Sequence, residues 1–289
     1  MPAATLTVLS REQWVPQAQA HAARVDAATE ARRSRLSRAQ THAVDDFLYE
    51  YYGTRPSLLR RWHPGPGVVL EAAPDHAGWR WYVTDGVLTQ VDTAGFWEAR
   101  GAAVDFVTGL VASTLSKRAQ LGCFGLHEWA MVYKDTDTRH PLPLRLGPRG
   151  TDAVVESHDL QCTHYDAYRF FTPDATPRNS VALDRVTQAD TEQPGCLHAT
   201  MDLYKWCAKL SPAIHSGLTL DCFELAVDVR RLDMAASPYD VSGLGLAPVR
   251  IETPEGKSEY AARQREISER SGVLRRRILE ACSRIVPTH

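Results

Sequence analysis

The reactive side chains of this chain are unevenly spread. Between His127 and Asp233 lie His127, Glu128, His140, His158, Asp159, Cys162, His164, Asp166, Cys196, His198, Asp202, Asp221, Asp228 and Asp233. Two Cys-x-His pairs stand out, Cys162-Thr-His164 and Cys196-Leu-His198. If the chain is extended from Cys162 to Asp166, then Cys162, His164 and Asp166 share one face, whereas a helix would splay them. His198 and Asp202 sit one turn apart on a predicted helix and can reach a common ligand.

Imidazole and carboxylate together suit zinc or iron, and a thiolate favours zinc. On that reading His127, His158, Cys162, His164 and His198 are candidate ligands of a divalent metal. His164-Tyr-Asp166 with a distant further histidine is similar to the two-histidine, one-carboxylate arrangement of non-haem iron enzymes. The spacing is neither a Cys-x-x-Cys zinc knuckle nor His-Glu-x-x-His, because Met131 stands where the second histidine would be. The same region also allows metal-free hydrolysis. Glu128, Asp166 and Asp202 are candidate catalytic carboxylates that would orient water against an electron-poor carbon. Trp129, Tyr133, Tyr165, Tyr168 and Phe170 are candidate stacking surfaces for a small planar substrate, and Arg169 and Lys205 are candidate cationic contacts. The competing reading is a hydrogen-bonded polar core in which the cysteines pack as small hydrophobes.

These residues need a scaffold. The Ala- and Arg-rich stretch from Arg11 to about Gln40 predicts a solvated helix. Val44, Phe47, Leu48 and Tyr51 recur at helical spacing, and Pro56 opens a short helix through Trp62. Residues 68–72, 79–84 and 87–91 read as strands, with Asp85-Gly86 as a hairpin turn. Helices follow over 96–119, 199–210 and 218–234, the last apolar almost all round. Asp221, Glu224, Asp228 and Arg231 form a narrow polar seam on it. A short strand is expected at Val249 to Ile251, and a charged closing helix over 255–284 should bend near Gly272. Mainly α (α+β) is the fold class this predicts: one helical domain over 11–289, a small antiparallel sheet near residues 66–92, and a disordered lead over 1–10.

The chain has 289 residues, 44% hydrophobic and 24% charged, which excludes a rod or wholesale disorder. Its formal net charge of −2 gives no support to a broadly basic nucleic-acid face. No apolar run is long enough to span a membrane, and no secretory signal opens the chain. Six cysteines are too sparse for a disulfide scaffold, so reduced thiols and a cytoplasmic location are expected. His63-Pro-Gly-Pro-Gly67 precedes a strand and Ser242-Gly-Leu-Gly245 lacks a third glycine, so neither is a phosphate loop. No Gly-x-Ser-x-Gly elbow occurs.

Several long strings are familiar. They are Asp46-Phe-Leu-Tyr-Glu-Tyr-Tyr52, Arg60-Arg-Trp-His-Pro-Gly65, Cys123-Phe-Gly-Leu-His-Glu-Trp-Ala-Met-Val-Tyr133, Cys162-Thr-His-Tyr-Asp-Ala-Tyr-Arg-Phe-Phe171, Pro194-Gly-Cys-Leu-His198, Met201-Asp-Leu-Tyr-Lys-Trp206 and Asp233-Met-Ala-Ala-Ser-Pro-Tyr-Asp240. Together they resemble a bacterial family whose members are commonly labelled 3-methyladenine DNA glycosylase, over about His42 to Tyr260. The resemblance implies a DNA-repair hydrolase that cleaves the N-glycosidic bond of an alkylated purine, with the damaged DNA base flipped into an aromatic pocket. It assigns no role to an individual residue. A basic rim from Arg55, Arg60, Arg61, Arg145 and Arg149 would suit that activity. Three expectations therefore stand side by side: the glycosylase, a His/Asp(/Cys)-ligated zinc or non-haem iron enzyme acting on a small molecule or nucleobase, and a non-catalytic binding protein.

Overall fold

The computed structural model describes residues 6–135 and 141–287. In chain order its elements are β1 (Thr7–Leu9), α1 (Arg11–Leu36), α2 (Phe47–Tyr51), α3 (Pro56–Leu59), β2 (Val68–Glu71), α4 (Pro74–Ala77), β3 (Tyr82–Asp85), β4 (Leu88–Val91) and α5 (Thr93–Ser116). There follow α6 (Leu126–Ala130), α7 (Gly147–Glu156), α8 (Tyr165–Tyr168), α9 (Gln188–Thr191), α10 (Leu197–Lys209), α11 (Ser216–Ala235) and α12 (Pro254–Ser283). The fold is mainly helical with one small sheet, as the sequence predicts.

The core is built on α10 and α11, which pack against each other along their length, with α12 laid over both and α5 packed on α12. Helix α11 is apolar nearly all round because it is central: Leu220, Phe223, Ala226, Val229 and Leu232 are all fully buried. Its polar seam faces outward, where Asp221 pairs with Arg277, Glu224 with Arg24, Asp228 with Arg270 and Arg231 with Asp45. Helix α5 starts where the Asp92 side chain accepts the Gly95 N–H at 2.9 Å.

Four expectations change. The sheet is mixed, in the order β1-β2-β4-β3, because Thr7–Leu9 pairs parallel to Val68–Leu70. That segment was expected to be a disordered lead. It is held because α1 follows at once and docks: the Trp14 Nε1–H donates to the Glu71 carbonyl at 2.9 Å, and the ring packs with Trp62, Leu70 and Ala73. Residues 1–5 of the expected lead lie outside the described residues. Helix α12 runs unbroken through Gly272. A helical glycine costs about 1 kcal/mol, and burial of Ile267, Leu274 and Ile278 on the same helix outweighs it. Val249 to Ile251 is not a strand. The Val249 N–H instead donates to the Ala235 carbonyl at the end of α11, at 2.8 Å. Among the described residues no helix is long and apolar enough to cross a membrane.

Candidate metal and acid–base site

Five segments bring the chemistry together. Helix α6 begins at Gly125 in a left-handed backbone (φ +73°), where a Cβ would press within 3.3 Å of Ala236. That tight start points His127 and Glu128 inward. Helix α11 contributes Arg230 and Asp233, α10 contributes His198, Asp202 and Lys205, and the turn into α8 supplies His164. Glu192 ends α9.

The first cluster is closed upon itself. The His127 Nε2–H donates to Asp233 Oδ1 at 2.7 Å. The Arg230 Nη1–H donates to Glu128 Oε1 and to Asp233 Oδ2, each at 2.8 Å. All four side chains are buried. Burial opposes a charge on His127, but Asp233 overrides it and the imidazole titrates well above its usual range. Burial would raise the Asp233 carboxyl, but His127 and then Arg230 hold it far below the carboxylate range. Two carboxylates thus face two cations.

The second cluster is not closed. His164 Nε2 lies 3.4 Å from both Glu192 Oε1 and Asp202 Oδ2. Both of its ring nitrogens are buried without a hydrogen bond. Asp202 Oδ1 accepts from the Tyr52 hydroxyl at 2.9 Å, and Oδ2 accepts from Lys205. Lys205 is divided between Asp202 and Asp166, 3.3 Å away. The Gln188 amide donates to Glu192 Oε1 at 2.5 Å. Burial works against a charged His164, yet Glu192 and Asp202 raise it. Burial also pushes Glu192 up, and Asp202 adds to this. Two buried carboxylates here share the His164 ring and Lys205, and neither is hydrogen-bonded to the ring.

The donor geometry suits a cation. Ligands about 2.1 Å from a tetrahedral ion stand about 3.4 Å from one another. His164, Glu192 and Asp202 can place one donor atom each within 4.8 Å of one another, as can His127, Glu128, His198 and Asp233. The second hydrogen-bond shell that fixes metal-ligating carboxylates is present in Tyr52 and Gln188. In the first cluster Arg230 and the His127 proton already hold the position an ion would take.

His198 joins the clusters. Its ring meets His127 edge to face at 4.5 Å and stacks on His164. Burial and the His127 charge hold it neutral, well below the usual range. It also lines a cavity of about 290 Å³ with Glu128, Arg230 and Asp166 as polar members and Phe47, Tyr51 and Phe170 as aromatic ones.

The sequence candidates divide accordingly. His127, Glu128, His164, Asp166, Phe170, His198, Asp202 and Lys205 converge, and Arg169 lies 3.6 Å from Asp166. The remaining candidates are corrected. Trp129 is fully buried, with its indole N–H on the Ala236 carbonyl at 2.9 Å, so it offers no surface to a substrate. The buried Tyr133 donates its hydroxyl to Glu156 and packs in the core. Tyr165 and Tyr168 pack against the core and do not line the cavity; Ala167 and Phe170 of the same turn do. His158 bonds the Val154 carbonyl at the end of α7, away from the clusters. Cys162 belongs to neither donor set. Its thiol, pushed well up by burial, rests on the His164 carbonyl at 3.5 Å. His140 lies outside the described residues. None of Arg55, Arg60, Arg61, Arg145 and Arg149 lines the cavity: Arg60 pairs with Asp26, Arg145 with Glu252, and Arg55 and Arg61 line a separate hollow beside Trp79.

Sequence reasoning missed Arg230, Glu192 and Tyr52 as site members. Arg230 carried a usable signal: it stands off the Asp221, Glu224, Asp228 and Arg231 seam, on the apolar side of the helix, three residues before Asp233. No family model, curated protein or solved structure matches the chain.

Proposed function

We propose that this chain is a metal-dependent enzyme that performs acid–base chemistry on a small molecule. The carrying observation is the buried His164 imidazole, both ring nitrogens without a hydrogen bond, between the buried Glu192 and Asp202 carboxylates. A divalent zinc or iron ion on His164, Glu192 and Asp202 would neutralise both carboxylates and leave the imidazole neutral. Such an ion supplies Lewis acidity and lowers the pKa of bound water.

The chain's own residues do the rest. The cavity is near the lower end of the usual size for small-molecule sites, about 300 Å³. His198 is a neutral base at the cavity wall and takes a proton from substrate or water. Glu128, fixed by Arg230, and Asp166, fixed by Lys205, orient polar groups. Phe47, Tyr51 and Phe170 give the apolar contact that excludes water.

Metal content tests the reading. The purified protein should carry near-stoichiometric zinc or iron by inductively coupled plasma mass spectrometry, and His164→Ala should lose it. Metal-free protein that also fails to take up added Zn²⁺, Fe²⁺ or Mn²⁺ would overturn it.

The glycosylase reading is supported by a different observation: Glu128 and Asp166 share one cavity with the rings of Phe47, Tyr51 and Phe170. There a carboxylate would take a proton from water as its oxygen bonds the sugar's anomeric carbon. The N-glycosidic bond breaks, and the base leaves with the electron pair. Release of alkylated purine from methylated DNA, abolished in Asp166→Asn, is the result this reading expects. No release by the wild type would end it.

A further inference from the structure

Next to the cavity, and sharing Tyr51 and Asp166 with it, is a larger groove of about 710 Å³. Arg100, Arg169, Arg185, Lys205 and Lys209 line it, and Asp166 is the one carboxylate among its lining residues. In a chain of net charge −2 this is a strong local excess of positive charge. Lys205 is paired with Asp202, which leaves four cations to the single Asp166 carboxylate. That carboxylate is already shared by Lys205 at 3.3 Å, Arg169 at 3.6 Å and Arg185 at 3.7 Å.

The other cations have no acidic partner among the described residues. Arg100 donates to the Lys209 carbonyl at the end of α10, at 3.1 Å, and its buried Nε has no partner. Burial and then the Lys205 charge lower the Lys209 ammonium, with Asp202 opposing and Arg100 and Arg185 adding to the shift. Cations held this close repel one another and raise the free energy of the empty groove. A multivalent anion reverses the sign of that interaction, and guanidinium groups suit phosphate oxygens through paired N–H donors.

We infer that the groove binds the phosphate of a small organic phosphate ester whose remaining part reaches the 290 Å³ cavity past Tyr51. The inference rests on the reading of that cavity as the substrate site, and it names the substrate class. The five cations line one concave pocket that opens beside the acid–base residues, which places a charged handle next to the reacting end. Remote binding of that kind positions a small substrate for reaction.

Titration calorimetry with inorganic pyrophosphate tests this on the intact protein. Stoichiometric binding should weaken as salt rises. It should fall at least tenfold in both Arg185→Ala and Lys209→Ala, and stay unchanged in Arg270→Ala on the outer face of α12. Absence of binding by the wild type, or equal binding by the groove variants, would overturn the inference. A single-stranded oligonucleotide that binds and is not displaced by pyrophosphate would overturn it in favour of a nucleic-acid strand. Metal uptake without pyrophosphate binding would reject the groove alone; pyrophosphate binding without metal uptake would reject the metal reading alone.

Discussion

His164 and His198 stack with ring centroids 5.4 Å apart and planes inclined by 30°, yet their surroundings drive their pKa values in opposite directions. Burial alone would keep both neutral. Glu192 and Asp202 raise the first, while the nearby His127 charge drives the second further down. Metal binding must therefore displace a proton from His164 but none from His198. Affinity for Zn²⁺ should rise with pH until His164's raised pKa is passed, about tenfold per pH unit for each proton displaced. Calorimetry in two buffers of different ionisation enthalpy would count the protons. Equal affinity at pH 6 and pH 8 would contradict the assignment.

The Arg230 guanidinium is the keystone of the closed cluster. Removing one partner of a buried ion network leaves its counter-charges bare and costs roughly 3–5 kcal/mol. Arg230→Met should lower the urea midpoint by a corresponding amount. Adding Asp233→Asn should recover part of the loss, because one uncompensated carboxylate is removed. If the single variant matches the wild type, the cluster is not the closed charge pair described above.

The helices were legible in the sequence because their burial follows local periodicity, as in the apolar stripe of α10. The site was only half legible, for a physical reason. Acidic and imidazole groups stand out by type, but their partners are set by packing across long separations. His127 meets Asp233 and Glu128 meets Arg230 across two helices that no local pattern relates. Cys162 and His164 share a short string, yet the chain turns into α8 at Tyr165, so only the histidine reaches the carboxylates. Aromatic residues were the poorest guide. Trp129 and Phe170 look alike as stacking surfaces, and only the fold buries one and exposes the other to the cavity. The parallel pairing of β1 with β2 had no local signal, because it depends on where Trp14 docks.

Trp129→Phe separates packing from substrate contact. The change removes the indole N–H and leaves the buried Ala236 carbonyl without that donor. The cost should be about 1–3 kcal/mol of stability, read as a lower denaturation midpoint. Ligand binding and metal content should not change at a temperature where the variant is folded. A loss of ligand affinity larger than the loss of stability would show that the ring contributes to the cavity after all.

Acid lability should come from buried neutral histidines in two places, His198 in the central cluster and His63 beneath the small sheet. His63 sits beneath the small sheet with its Nδ1 2.9 Å from the Tyr82 hydroxyl. Burial and then the neighbouring His76 lower it from 6.5 to about 3. His76, His21 and His215 are lowered too, chiefly by burial. A histidine whose pKa is lower in the folded state gives stability that is complete above its unfolded value. That stability is lost as pH falls through 6.5 towards the folded value, for His63 alone at roughly 1.4 kcal/mol per pH unit. His127 and His164 have the opposite sign. Their folded pKa values are raised, so their contribution is full below 6.5 and is lost as pH climbs through the folded values. Metal-free protein should therefore be most stable near pH 6.5, with a limb falling on each side. Urea midpoints across pH 4 to 9 would map both limbs. His63→Gln should flatten the acid limb and leave the alkaline one, whereas bound metal should flatten the alkaline limb by replacing the His164 proton. An acid limb of undiminished slope in His63→Gln would show that other groups drive it.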